Sequence, residues 1–194
     1  SGAAIVKSLI GRDVACVPDP TLLLGDFSSA IATAEATPTG HVFCYALRSG
    51  KGIREVAELV GKTLGADVLS PYNVHRRWPE IGRTVYPSPK GWVAMVDRSA
   101  FVVTNSFHGT VFSLLQRRPL LVVGLPGTRT SLNERALNLL DEVGLRHRFV
   151  ENGDLATAQA RIAEPIDWDA VAPRLAALQS AGRRYLAEQL AVSP

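Results

Sequence analysis

Short apolar runs alternate with helical stretches along most of this chain. That alternation leaves few folds open, because strands spaced by helices of ten or more residues need right-handed βαβ crossovers, and these build a parallel sheet. The apolar runs that read as strands are His41–Leu47, Asp67–Leu69, Phe101–Thr104, Leu120–Gly124 and Arg148–Val150. Between them, Ile53–Leu64 carries Ile53, Val56, Ala57 and Val60 at helical spacing. Gly91–Val96 begins a short helix, and Phe107–Gln116 forms another. Ser131-Leu132-Asn133-Glu134 is a capping-box pattern whose helix Gly144 stops. Trp168–Leu190 reads as one long amphipathic helix with a stripe of Val171, Leu175, Leu178, Gly182, Tyr185 and Leu186.

The N-terminal part is less regular. A first helix is expected over Ala3–Leu9, closed by Gly11, and the apolar run Val14–Val17 ends at Pro18-Asp19-Pro20. Gly25–Gly40 reads as a loop or linker, and Pro71–Pro89, with four prolines, as an irregular loop. The expected class is α/β, a Rossmann-like parallel sheet flanked by helices, in a single domain over residues 1–194 whose last helix covers 167–190.

Composition removes several function classes. With 46% apolar and 20% charged residues, the chain has enough apolar surface to offset its conformational entropy. It has no run of 18 apolar residues and no signal-peptide pattern at its start, so a cytoplasmic chain is expected. Two cysteines, Cys16 and Cys44, are too few for a disulfide framework or a four-cysteine zinc site. A net charge of +3 does not argue for nucleic acid, although Tyr72–Trp78 interleaves aromatic and basic residues. The 17 arginines against 4 lysines hint at small anionic ligands, because a guanidinium grips carboxylate or phosphate bidentately.

In an open parallel sheet, ligands bind beyond the carboxyl ends of the strands. Three loops follow strands there. Arg48-Ser49-Gly50-Lys51-Gly52 puts two cations at a helix entrance, where unpaired N–H groups favour an anion, without the spacing of a Walker A loop. Asn105-Ser106-Phe107-His108-Gly109-Thr110 opens the next helix: Ser106 or Asn105 caps it, and Gly109 admits either a ligand or neighbouring backbone. His108 then sits in the first helical turn, placed to exchange a proton. The third loop, Leu125 to Ser131, carries Arg129, and Arg135 lies one turn into the helix beyond. His41, His75 and His147 lack partners at ligand spacing, so no metal is expected, and the nucleophile elbow G-x-S-x-G is absent. Asp19, held between two prolines, reads as a turn-fixing carboxylate at least as readily as a catalytic one.

An ordered set of segments resembles the polysaccharide pyruvyl transferase family. Val17-Pro18-Asp19-Pro20-Thr21-Leu22-Leu23-Leu24 is followed by Val103-Thr104-Asn105-Ser106-Phe107-His108-Gly109-Thr110-Val111-Phe112, then Pro119, Glu134-Arg135, Asn138-Leu139-Leu140 and Gly144-Leu145. The resemblance covers roughly residues 1–150. It implies the C-terminal half of a two-domain fold like the GT-B glycosyltransferases, with another Rossmann-like half expected before residue 1 and the last helix leaning towards it. It also implies transfer of pyruvate from phosphoenolpyruvate to a lipid-linked or polymeric saccharide, as in exopolysaccharide biosynthesis, with no further cofactor. A lipid-linked acceptor would place the protein at the inner face of the cell membrane.

By the resemblance, His108 matches the family's histidine near the donor, and Arg48 an arginine expected to meet phosphoenolpyruvate. Where some members carry an arginine two places before the histidine, this chain has Ser106, and Arg129 or Arg135 is available to compensate. Lys51, Asn105, Ser106 and Gly109 complete the expected binding set. Two other functions fit the same residues: a nucleotide-sugar glycosyltransferase of GT-B type, and a non-catalytic module binding an anionic glycan or a partner.

Overall fold

A computed structural model describes residues 2–48, 50–72, 81–125, 127 and 132–191. Its strands are β1 (Val42–Tyr45), β2 (Val68–Pro71), β3 (Arg83–Val85), β4 (Phe101–Thr104), β5 (Leu120–Val123) and β6 (Phe149–Val150). They form one six-stranded sheet in the order β3-β2-β1-β4-β5-β6. Every neighbouring pair is parallel, with Tyr45 facing Thr104 across β1 and β4. The expected α/β Rossmann-like arrangement is therefore present.

Strands β4 and β5 are buried at every position, because helices cover both faces of the sheet. Alternate residues serve opposite layers. Val42, Cys44, Val103, Leu121 and Val123 pack with Ile53, Val56 and Val60 of α4 (Lys51–Leu64) and Ala158 and Ile162 of α8 (Leu155–Ile162). Phe43, Val102 and Val122 pack on the other side with α5 (Pro89–Arg98), α6 (Phe107–Leu115), α7 (Glu134–Glu142) and α9 (Trp168–Ala191). Burying each of the Val, Leu, Ile and Phe side chains among them contributes about 1.5–3 kcal/mol, as an upper estimate.

The remaining helices depart from what the sequence suggests. α1 (Gly2–Ile10) is as expected, but α2 (Pro20–Leu24) and α3 (Ser28–Ala32) are short helices in segments that read as turn and loop. Helix α8 also escapes the periodicity reading. Strand β3 lies inside the proline-rich Pro71–Pro89 segment, pairing with β2 at the sheet's edge, where prolines nearby cost little. Leu186 of the predicted α9 stripe is 41% exposed rather than packed. In the predicted capping box, Ser131 lies outside the described residues, and the Asn133 side chain bonds Leu125 instead of capping α7.

Residues 25–40 are not a free linker. Phe27 packs on Phe112, 4.8 Å between ring centroids. Glu35 accepts hydrogen bonds from Ser88 N (2.8 Å) and Ser88 Oγ (2.6 Å), pinning the start of α5. The Ser88 hydroxyl, with the Ser88 amide second, holds the Glu35 carboxyl below the usual carboxylate range. A depressed carboxylate stabilises the fold above its unfolded value, about 4.3, and that stabilisation is lost as pH falls through the folded value. Glu35→Gln is therefore expected to lower the melting temperature at pH 7. Thermal melts across pH should show the gap between variant and wild type closing in acid.

Helix α9 latches onto α2. Gln179 Nε2 donates to Leu22 O (2.8 Å), and Arg183 donates to Leu23 O through Nε (3.0 Å) and to Leu24 O through Nη2 (3.2 Å). These bonds satisfy carbonyls that the end of a five-residue helix leaves open. Gly182 makes the approach possible, since a Cβ there would meet Leu23 and Pro18 at 2.6 and 2.8 Å.

Candidate functional site

Strand order reverses between β1 and β4: the chain runs from β1 to β2 and β3 on one side, then crosses through α5 to β4 on the other. The crevice beyond the carboxyl ends of β1 and β4 is where such sheets bind ligands. Asn105 braces its two banks. Its Oδ1 accepts Leu47 N (2.9 Å) and its Nδ2 donates to Arg48 O (2.6 Å). Thr104 ties the same strands, donating from Oγ1 to Tyr45 O (2.7 Å) and accepting Ser106 N (3.0 Å).

These bonds decide what several predicted residues do. Asn105 spends its amide on the loop backbone. Ser106 is buried, and its hydroxyl caps α6 by accepting Gly109 N at 3.3 Å. Of the two capping candidates, the structure selects Ser106. Gly109 is buried against Thr104, whose side chain occupies the space a Cβ would need, so neighbouring structure rather than ligand demands glycine there.

This framework points α6's first turn at a charged cluster. Pro20 starts α2 and Asp19 caps it, with Oδ1 accepting Thr21 N at 3.0 Å. The other oxygen, Oδ2, lies 3.5 Å from His108 Nε2 and 3.3 Å from Arg135 Nη2. Asp19 is largely covered, at 13% side-chain exposure, whereas His108 and Arg135 are 51% and 64% exposed. The Arg135 guanidinium also stacks over the Phe107 ring, 4.1 Å from its centroid. A largely covered carboxylate thus sits against two exposed cationic or protonatable groups, leaving their outer edges to solvent. His108 can exchange a proton and Arg135 can grip an anion.

Asp19 is the member of this cluster that the sequence alone undersells. Its turn-fixing role is present, and the second role comes from the oxygen which that role leaves free. Only its place in the resemblance segment marks it beforehand, since Arg135 is 116 residues away.

The structure describes two of the other predicted cations, Arg48 and Lys51. Arg48 is exposed on the β1–α4 loop, with its carbonyl held by Asn105. Lys51, in the first turn of α4, is 85% exposed and lies 3.8 Å from Glu55. Arg129, and the Arg76, Arg77 and Trp78 of the basic–aromatic stretch, lie outside the described residues. Among the described residues, no helix is long and apolar enough to cross a membrane.

The family model described as polysaccharide pyruvyl transferase matches residues 2–125. That span holds Asp19, Arg48 and His108, while Arg135 lies beyond it. No curated protein matches the chain significantly.

Proposed function

Since the chain belongs to the polysaccharide pyruvyl transferase family, we propose that the carboxyl edge of its sheet binds phosphoenolpyruvate and transfers the pyruvyl group to two hydroxyls of a saccharide as a ketal. The observation that carries this reading is the Asp19–His108–Arg135 cluster at the start of α6. Phosphoenolpyruvate brings a carboxylate and a phosphate, which suit guanidinium groups and helix N-termini. Arg135, Arg48, Lys51 and Arg129 are the cations assigned to them.

The chemistry follows from the donor. A proton goes to C3, converting the methylene to a methyl, as one sugar hydroxyl attacks C2 and loses its own proton. The C2–O bond to phosphate then breaks, and the second hydroxyl closes the ketal while its proton leaves with the phosphate. His108 is the proton carrier within this scheme, acting as general acid towards C3 or base towards the hydroxyl. Asp19 holds the imidazole in place. The cations stabilise the charge growing on the departing phosphate.

Binding tests the donor assignment on the chain itself. At 100 times its dissociation constant, phosphoenolpyruvate should stabilise the fold by about 2.7 kcal/mol, a rise of about 5–10 °C in Tm. UDP-sugars should give no comparable rise, and the rise should shrink in Arg135→Ala and Arg48→Ala. Stabilisation by UDP-sugars alone would instead favour the glycosyltransferase reading, and equal shifts in the arginine variants would remove them from the site.

A further inference from the structure

Arg135 is held on two sides. Its Nη2 lies 3.3 Å from Asp19 Oδ2, and its guanidinium carbon sits 4.1 Å above the centre of the Phe107 ring. We propose that this locked guanidinium receives the carboxylate of the ligand rather than its phosphate, and that Phe107 is the residue that positions it. The proposal rests on the transferase reading, which gives the donor two anionic groups without saying which of them meets Arg135.

The lock has fixed walls. Phe107 is half-buried and packs against the core layer that α6 and α7 share, so its ring is anchored. The helix that carries Arg135 is pinned at its start, because the Asn133 side chain accepts from Leu125 N (2.9 Å) and donates to Leu125 O (3.3 Å). A 64% exposed arginine side chain ordinarily samples many rotamers. Here a ring face and a carboxylate select one of them.

Stacking holds a guanidinium by its face and leaves its N–H groups pointing along its own plane. Among the described residues, the bond to Asp19 is the one hydrogen bond that this guanidinium makes. The remaining donors of the fork match the two oxygens of a planar carboxylate. A lysine, with a compact ammonium, offers no such plane.

Charge separates the two anions of the donor. Asp19 and Arg135 together carry no net charge, so a second negative charge on the ligand gains no further attraction from the pair, while it raises the cost of leaving water. A singly charged carboxylate suits this place better than a phosphate. The position of His108 agrees. Its Nε2 lies 3.5 Å from the same Asp19 oxygen, and its ring meets Phe107 edge to face, 5.7 Å between centroids. A carboxylate on Arg135 therefore brings the carbons attached to it beside the imidazole.

The test follows the Arg135 Nε–H resonance of the nitrogen-labelled chain, assigned by its loss in Arg135→Ala, during titration with pyruvate, inorganic phosphate and phosphoenolpyruvate. Pyruvate and phosphoenolpyruvate should move it, and inorganic phosphate should not. The affinity for pyruvate should fall about two- to fivefold in Phe107→Leu, which keeps the apolar bulk, and return in Phe107→Tyr, which keeps the ring. In Arg135→Ala, with binding read from the amides of α6's first turn, adding Phe107→Leu should cost nothing more, because the ring acts through the guanidinium. A resonance that phosphate moves as far as pyruvate does, or that none of the three moves, overturns the carboxylate assignment. Unchanged affinity in Phe107→Leu, or the same loss with and without Arg135, overturns the positioning role. The two readings fail separately. A response to pyruvate without stabilisation by phosphoenolpyruvate removes the donor assignment and leaves the receptor, whereas stabilisation by phosphoenolpyruvate with an unmoved Arg135 resonance removes the receptor alone.

Discussion

His108→Ala is expected to slow pyruvyl transfer by about 10²–10⁴-fold, the usual worth of a positioned acid or base. Phosphate release from phosphoenolpyruvate in the presence of a saccharide acceptor reads the loss. The fold should survive, because the side chain is half exposed and the cap of α6 belongs to Ser106. Donor affinity should change little, so the loss should appear in kcat rather than KM. Asp19→Asn provides the companion measurement. The amide keeps an oxygen for Thr21 N and so preserves the cap, but it removes the charge that Oδ2 presents to His108 and Arg135. A fall of about tenfold in kcat is expected, since the imidazole loses the carboxylate that holds it in place. Unchanged turnover in His108→Ala would remove the catalytic role, and an unchanged kcat in Asp19→Asn would reduce Asp19 to its capping role.

Arg148→Ala should produce the largest stability loss, about 2–4 kcal/mol. Arg148 is fully buried, donating from Nη1 to Arg161 O (2.7 Å) and from Nη2 to Glu164 O (2.5 Å). It thus adds donors to carbonyls at and just beyond the end of α8, where Arg161 O also accepts the Ala163 N–H. Burial pulls its pKa below that of an ordinary arginine. Removing it leaves a void and takes the side-chain donors from both carbonyls, of which Arg161 O keeps only backbone partners. Arg148→Met fills much of the volume without donors, and Arg148→Lys keeps the charge with fewer donors in a different geometry. Denaturant melts should rank wild type above Lys, Lys above Met, and Met above Ala. Equal costs for Met and Ala would mean that the lost donors alone carry the effect and volume contributes nothing.

Much of the architecture was readable because its signals are local. β1, β4 and β5 announce themselves as apolar runs bounded by turns, and α4 by its period. β3 was hidden because it has three residues, none buried, and follows a proline-rich stretch. α2 was hidden because five residues are too few to show a period, although Asp19-Pro20 is a fair cap signature in hindsight. The site divides the same way. His108 was legible from its place after a strand, beside residues that start helices. Ser106 was legible too, as one of two capping candidates, but the roles of Asn105 and Gly109 were not, because each depends on what stands opposite: Leu47 and Arg48, and the Thr104 side chain. Sequence marks such residues as special without saying whether they serve the ligand or the frame.

The latch between α9 and α2 gives the chain a closed circuit. The last helix holds the short helix whose first oxygen-bearing cap is Asp19. Opening of α9 therefore releases α2, and the two helices should exchange their amide hydrogens together rather than fraying independently. The cluster beside His108 sits inside that circuit. Any event that lifts the C-terminal helix, whether thermal or proteolytic, is expected to loosen the Asp19 carboxylate from the imidazole.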